Sequence, residues 1–239
     1  MLGALILTLP IASQGRVWTS FGDTLFTSTS AVCVTGLVVQ DTATYWSAFG
    51  QGIILVLIQI GGIGVIAVAV FIASISGKKL SLMQRSTLQD SISAHQIGGV
   101  VHMTGFIIRV VFLTELVGAL VLLPSFCSRY GWAGIWMSVF HSISAFCNAG
   151  FDLMGSRTGQ YSSLTGMAGN PGVVIPISLL IILGGIGFLT WGDIKEHKLH
   201  VKRYRMQSKV VLVTSAVLIF LPMLWLFFGE YAGEPLKDR

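Results

Sequence analysis

Twelve residues, Phe26-Thr27-Ser28-Thr29-Ser30-Ala31-Val32-Cys33-Val34-Thr35-Gly36-Leu37, return as Phe140-His141-Ser142-Ile143-Ser144-Ala145-Phe146-Cys147-Asn148-Ala149-Gly150-Phe151, an offset of 114 with six of twelve positions identical. Each copy leads into a second shared word, Ile60-Gly61-Gly62-Ile63-Gly64 and then Leu183-Gly184-Gly185-Ile186-Gly187. The second offset is 123, so nine more residues separate the two words in the later copy. Two matching words in the same order mark a duplication rather than chance likeness in an apolar chain. A chain of this kind folds one unit twice and packs the copies together.

The unit is made for a membrane. Of the 239 residues, 53% are hydrophobic and only 10% charged, with a mean hydropathy of +0.78; soluble domains carry about 25% charge. The three cysteines form no CxxC or zinc spacing and are too few for a disulfide framework. The net charge of +5 is concentrated in two segments, which makes it topological information and gives no reason to expect a nucleic-acid partner.

Charge-free runs predict spans at 48–75, Gln96–Pro124 (interrupted by Arg109 and Glu115), Pro171–Gly192 and Val210–Gly229, each able to supply the roughly 20 residues of a crossing. The opening Leu2–Ala12 is about half that length. A signal peptide is one reading, but no Lys or Arg precedes the apolar part; the tail end of a spanning helix that begins upstream is preferred. Gly22–Cys33 and Ile135–Cys147, which carry the repeated word, are apolar but only 12 and 13 residues long. That length suits helices that dip into the membrane and return, followed by backbone that protein or a water-filled path must surround.

The expected fold is therefore an all-α integral membrane protein of tandem helix–pore loop–helix repeats, potassium-channel-like. The first unit occupies 1–75, a cytoplasmic connector 76–99, the second unit 100–192, a basic cytoplasmic connector 193–209, and the first helix of a third unit 210–239. Lys and Arg set the orientation. Nine of them fall in 76–99 and 193–209, against Arg16, Arg129 and Arg157 on the other side, which puts the connectors in the cytoplasm. Trp18, Tyr45, Trp46, Tyr130, Trp132, Trp136 and Tyr161 then gather at the outer interface, as an aromatic belt does. Both re-entrant loops open outward.

A short helix ending inside the membrane points the negative end of its dipole at what lies there, which favours a cation. The chain then leaves through Val34-Thr35-Gly36-Leu37 or Asn148-Ala149-Gly150-Phe151. Stacked backbone carbonyls can replace the hydration shell of potassium, and aiming them inward needs a turn that glycine makes without steric cost. Gly36 and Gly150 hold the matching place, and no charged residue follows until Asp41 and Asp152. Selection by carbonyls fits better than selection by a carboxylate ring.

The words Ser30–Leu37, Ile58–Gly64 and Gly77-Lys78-Lys79, with Ser144–Phe151 as the second filter word, resemble the TrkH/KtrB/HKT family of potassium transporters, the KtrB-like bacterial branch in particular. The resemblance runs over essentially the whole chain. It implies four helix–pore–helix units around one pore, with Gly36 and Gly150 as the filter glycines of units one and two. It also implies an ion path of backbone carbonyls at Val34, Thr35, Gly36, Leu37, Asn148, Ala149, Gly150 and Phe151. Potassium, with sodium coupling in some members, is then the transported ion and no cofactor is needed. A homodimer, a cytoplasmic nucleotide-sensing regulatory subunit and residence in a bacterial plasma membrane are implied as well. The chain departs from the pattern in extent, covering two filters of four, and reads as a fragment of a longer transporter.

Other readings of single features are weighed beside these. Gly61-Gly62-Ile63-Gly64 and its partner resemble a phosphate loop, but no strand precedes them, and close helix packing or a bend is preferred. Cys33 and Cys147 are expected to pack as small residues rather than bind metal or each other. Arg109 and Glu115 are expected to find partners elsewhere in the fold rather than line the path. Glu196, His197 and His200 have a spacing that can hold a metal, yet in a basic connector a solvated role is preferred. That connector suits a cytoplasmic partner or anionic lipid equally. His141 stands where the first copy has Thr27; a hydrogen bond to a neighbour is preferred over a pH sensor. A secondary transporter with re-entrant half-helices is the alternative function. Its mark, inverted repeats, conflicts with the even number of crossings between the copies. A membrane enzyme lacks a nucleophile, and a noncatalytic scaffold stays open.

Overall fold

The computed structural model describes residues 1–64, 100–198 and 200–230, and the side chains of these except at 100–104 and Glu230. Connector 76–99, with Lys78, Lys79 and Arg85, and the end of the expected 48–75 span lie outside the described residues, as does the tail after Glu230. Among the described residues the fold is helical, with one isolated antiparallel bridge between Ser13 and Trp46. Two compact units divide it, Met1–Gly185 and Ile186–Arg239.

In the first unit, α1 (Leu2–Thr8) and a 3-10 turn at Pro10–Ala12 precede α2 (Phe21–Val32). A short α3 (Thr42–Tyr45) and α4 (Ala48–Ile63) follow. The second copy has α5 (Val100–Tyr130), α6 (Ala133–Phe146), a short α7 (Gly155–Thr158) and α8 (Pro171–Gly185). At 1.5 Å per residue, α2 and α6 are about 18 and 21 Å long, well short of the roughly 30 Å apolar layer. They are the two short helices expected at Gly22–Cys33 and Ile135–Cys147.

Their composition explains their place. Thr24, Thr27, Ser28, Ser30 and Ala31 are the buried residues of α2, small enough to let neighbouring helices approach closely. Such approach is visible where α1 crosses α2: a β-carbon on Gly3 would lie 2.7 Å from Ser28 Oγ and 2.8 Å from Leu57 Cδ1. The second copy repeats the contact. A β-carbon on Gly118 of α5 would lie 2.5 Å from Ser142 Oγ and 2.8 Å from Leu180 Cδ1. So α1 packs on α2 and α4 as the later part of α5 packs on α6 and α8.

Two expected spans end differently. The helix at 96–124 runs on past Pro124 to Tyr130 and stops at Gly131, whose φ is +59°. Proline removes one backbone bond without ending a membrane helix. The expected span at 171–192 is not one helix: α8 stops at Gly185, and a separate α9 (Phe188–His197) starts after Gly187 at φ +81°. The first copy breaks at the matching glycine, Gly64, at φ +93°. Only glycine enters such conformations without strain.

In the second unit, α9, a 3-10 turn at Val201–Arg203 and α10 (Met206–Trp225) are followed by a π turn at Leu226–Glu230. Asp193, 1% exposed, accepts from the Arg205 N–H at 2.9 Å and the Ser208 hydroxyl at 2.6 Å, and pairs with Arg205 Nε at 3.4 Å. Its carboxylate thus caps the first turn of α10, where negative charge is favoured. The His197 ring lies along Tyr204, with centroids 6.4 Å apart. Among the described residues Gly105–Tyr130 and Met206–Gly229 are long and apolar enough to cross a membrane.

Candidate functional site

Both short helices end the same way. At Cys33 and Cys147 the backbone is still right-handed, and at the next residue it turns left-handed, with φ +56° at Val34 and +58° at Asn148. The amide of Val34 then donates to the Ala31 carbonyl (3.3 Å) and that of Thr35 to Ser30 (3.0 Å). In the second copy Asn148 donates to Ala145 (3.0 Å) and Ala149 to Ser144 (2.8 Å). This is the Schellman pattern of helix endings. Its left-handed position usually takes glycine or asparagine; valine there is an outlier.

The consequence is chemical. The first two amides of each exit loop are turned back to the helix, and most of the loop carbonyls are left over. Among the described residues no donor is bound to the carbonyls of Val34, Thr35, Gly36 and Leu37, nor to those of Asn148, Ala149 and Gly150. The Phe151 carbonyl accepts from the Ser144 hydroxyl at 2.6 Å. In the first copy the Thr35 hydroxyl bonds Ser30 Oγ at 2.9 Å.

Gly36 and Gly150 both have φ +73°, and they meet. A β-carbon on Gly36 would lie 2.6 Å from the Ala149 carbonyl oxygen and 3.3 Å from Gly150 Cα. One on Gly150 would find Gly36 Cα at 3.5 Å. Residues 114 apart in the chain are thus face to face where the two loops meet. Outside that contact the copies diverge: Leu37 is exposed while Phe151 is buried.

The glycine pairs of the second word back these loops. A β-carbon on Gly61 would overlap the Val32 carbonyl, and one on Gly184 the Phe146 carbonyl, the matching last carbonyls of α2 and α6. Of the expected alternatives, close helix packing or a bend, close packing is what these glycines make in both copies. Cys147 packs against Gly62 and is buried; Cys33, at the same register, is exposed, so the packing role expected for both cysteines applies to one.

Several side chains tie the copies together. Gln59 Nε2 donates to both Glu115 carboxylate oxygens at 2.9 Å, and Cys147 Sγ lies 3.7 Å from Glu115 Oε1. Glu115 has the partner expected for it, whereas Arg109 is exposed and has none among the described residues. Trp136 Nε1 donates to Gln51 Oε1 at 2.9 Å. His141, 2% exposed, bonds the Met137 carbonyl through Nδ1 (2.7 Å) and accepts the Leu153 N–H on Nε2 (3.3 Å). Both ring nitrogens are engaged in a way that fits one neutral tautomer, so the hydrogen-bonding reading is the one the geometry supports. Asp152 accepts the Met154 N–H at 2.8 Å. Burial raises its carboxyl above the ordinary range, the Met154 bond acts against this, and the charge of Asp41 adds to the rise.

Sequence reasoning missed Gln59 and the Gly3/Gly118 contacts. The latter had a signal: Gly3-Ala4-Leu5 recurs as Gly118-Ala119-Leu120.

Capped short helices, glycine-backed loops and apolar flanking helices, used twice, define an all-α integral membrane protein of tandem helix–loop–helix units. The chain belongs to the TrkH family of cation transport proteins, whose family model matches residues 6–228. It is 40% identical to the potassium/sodium uptake protein NtpJ of Enterococcus hirae, over 99% of this chain and 51% of that protein. It is 38% identical to the Ktr system potassium uptake protein B of Bacillus subtilis, over 98% of this chain and 51% of the relative. The protein of the same name from Vibrio alginolyticus is 31% identical over 91% of this chain and 48% of its own. The chain spans about half the length of these curated relatives.

Proposed function

We propose that this chain belongs to the ion-translocating subunit of a potassium uptake system and passes the ion without bond chemistry. The carbonyls of Val34–Leu37 and Asn148–Phe151 line the path, and Gly36 and Gly150 permit their geometry. The observation that carries this reading is the meeting of the two glycines beside the carbonyls of Val34–Leu37 and Asn148–Gly150, which have no protein donor among the described residues, the Phe151 carbonyl being shared with the Ser144 hydroxyl. Oxygens so held can replace a hydration shell. The uptake names of the relatives support potassium, with sodium as a second transported ion.

Residues 1–75 and 100–192 form the first two pore units, joined by the cytoplasmic connector 76–99. The basic connector 193–209 leads to 210–239, which begins a third. The bilayer is the bacterial plasma membrane, with both connectors facing the cytoplasm. The protein works as a homodimer with a cytoplasmic nucleotide-sensing regulatory subunit; the relatives' naming as proteins of a Ktr system supports only that more than one component takes part.

The test is potassium uptake by the full-length polypeptide in proteoliposomes, with sodium as competitor. Replacing Gly150 by valine should lower the preference for potassium over sodium. Uptake with unchanged preference would remove these loops from the path, and an absence of flux in the unaltered protein would favour a scaffold.

A further inference from the structure

The outer end of the first loop is held by the second repeat. Asp41, 6% exposed, accepts on Oδ2 from the Thr44 N–H (2.9 Å) and hydroxyl (2.8 Å). Its Oδ1 accepts from the N–H of Tyr161 at 3.1 Å, across 120 residues of chain. The Tyr161 hydroxyl donates to the Val39 carbonyl at 3.0 Å. Gly155 closes over the Asp41 carboxylate so tightly that a β-carbon there would overlap it. Tyr161 sits in the left-handed region at φ +58°, and its amide and ring both reach the same segment. One residue thus fixes Val39 and Asp41, two and four positions beyond Leu37.

The second repeat holds its own corresponding stretch from within. Leu153, at the place of Val39, donates its N–H to His141 Nε2, and the Phe151 carbonyl accepts from Ser144. In the first repeat the His141 position is Thr27, whose hydroxyl sits directly on Cβ and reaches far less than an imidazole. That hydroxyl is buried and has no partner among the described residues.

We propose that Tyr161 is a positioning residue for the first loop. From the second repeat it supplies the restraint that Thr27 does not supply, and so sets how well the carbonyls of Val34–Leu37 discriminate potassium from sodium. The proposal rests on the ion-path reading given above.

Tyr161→Phe tests it, because the ring is 57% exposed and losing one hydroxyl leaves the packing intact. Two readouts are taken on the full-length protein: amide hydrogen exchange at Thr44 and Tyr45, whose N–H groups are bound to Asp41, with Leu153 and Met154 as reference, and potassium uptake against sodium in proteoliposomes. A lost hydrogen bond of ordinary strength predicts exchange at Thr44 and Tyr45 faster by about two- to tenfold, and a drop in potassium preference of similar size. Leu153 and Met154 should stay unchanged. Unaltered exchange at Thr44 and Tyr45 would overturn the restraint itself. Faster exchange with unaltered preference would overturn its role in selection. If the unaltered protein carries no potassium, the ion-path reading falls and the selectivity role with it, while the exchange result still decides the restraint.

Discussion

Gly36→Ala should cost more than Gly150→Ala, although the two glycines hold matching places in the repeat and share a φ of +73°. Each substitution forces a side chain into a left-handed conformation, a cost of about 1–2 kcal/mol. At Gly150 little else happens, because the new carbon meets Gly36 Cα at 3.5 Å, an ordinary contact. At Gly36 it arrives 2.6 Å from the Ala149 carbonyl oxygen. That neighbour is backbone, held by the Ala149 amide bond to Ser144, so the second loop must shift. Overpacking of this kind adds about 1–3 kcal/mol, for a total of about 2–5 kcal/mol at Gly36. Reversible unfolding in mixed micelles, followed by circular dichroism, compares the two variants and the double variant. Since the positions touch, the double should depart from additivity by more than about 0.5 kcal/mol. Equal losses, or a larger loss at Gly150, would refute the asymmetry drawn from the loop contact.

Three further outcomes are expected. Val34→Asn should stabilise the protein by about 1 kcal/mol, since asparagine tolerates the left-handed region far better than a β-branched residue; the same unfolding measurement checks it, and a loss would mean Val34 packing outweighs its strain. Gly184→Ala should destabilise by about 1–3 kcal/mol through collision with the Phe146 carbonyl, whereas Gly185→Ala, whose new carbon comes no closer than 3.9 Å to Asn148 Nδ2, should not. Asp152 titrates above the ordinary carboxylate range in the folded protein, chiefly through burial. The folded state therefore holds its proton more tightly than the unfolded chain, and stability falls as pH rises from the ordinary carboxylate range through the raised value. Asp152→Asn keeps an acceptor for the Met154 N–H, so it should remove that slope and raise the unfolding midpoint at neutral pH; a slope that persists would assign it to another group.

The repeated words made the tandem units, the short helices and the exit loops legible without coordinates, because duplication and apolar length act locally along the chain. Helix ends were less legible. Pro124 reads as a stop, yet a membrane helix absorbs the lost bond and α5 runs to Gly131; the apolar run from Pro171 reads as one span, yet Gly187 breaks it. Residues whose role lies in a distant contact were the least visible. Glu115 was recognisable as a charge needing a partner, but nothing in the sequence pointed to Gln59. His141 showed as a departure from Thr27, and only its two bonds explain it.

Without any coordinates, the residues show the class of solvent the chain must meet, the duplication of one word pair and the two exit stretches, whose carbonyls, except that of Phe151, are left unpaired among the described residues. These follow from composition, length and glycine placement, which are properties of single segments. Tertiary structure alone decided which glycine is crowded, which cysteine is buried and which repeat leans on the other. Such differences arise where two nearly identical copies meet one shared neighbourhood from opposite sides, so that matching residues face unlike surroundings.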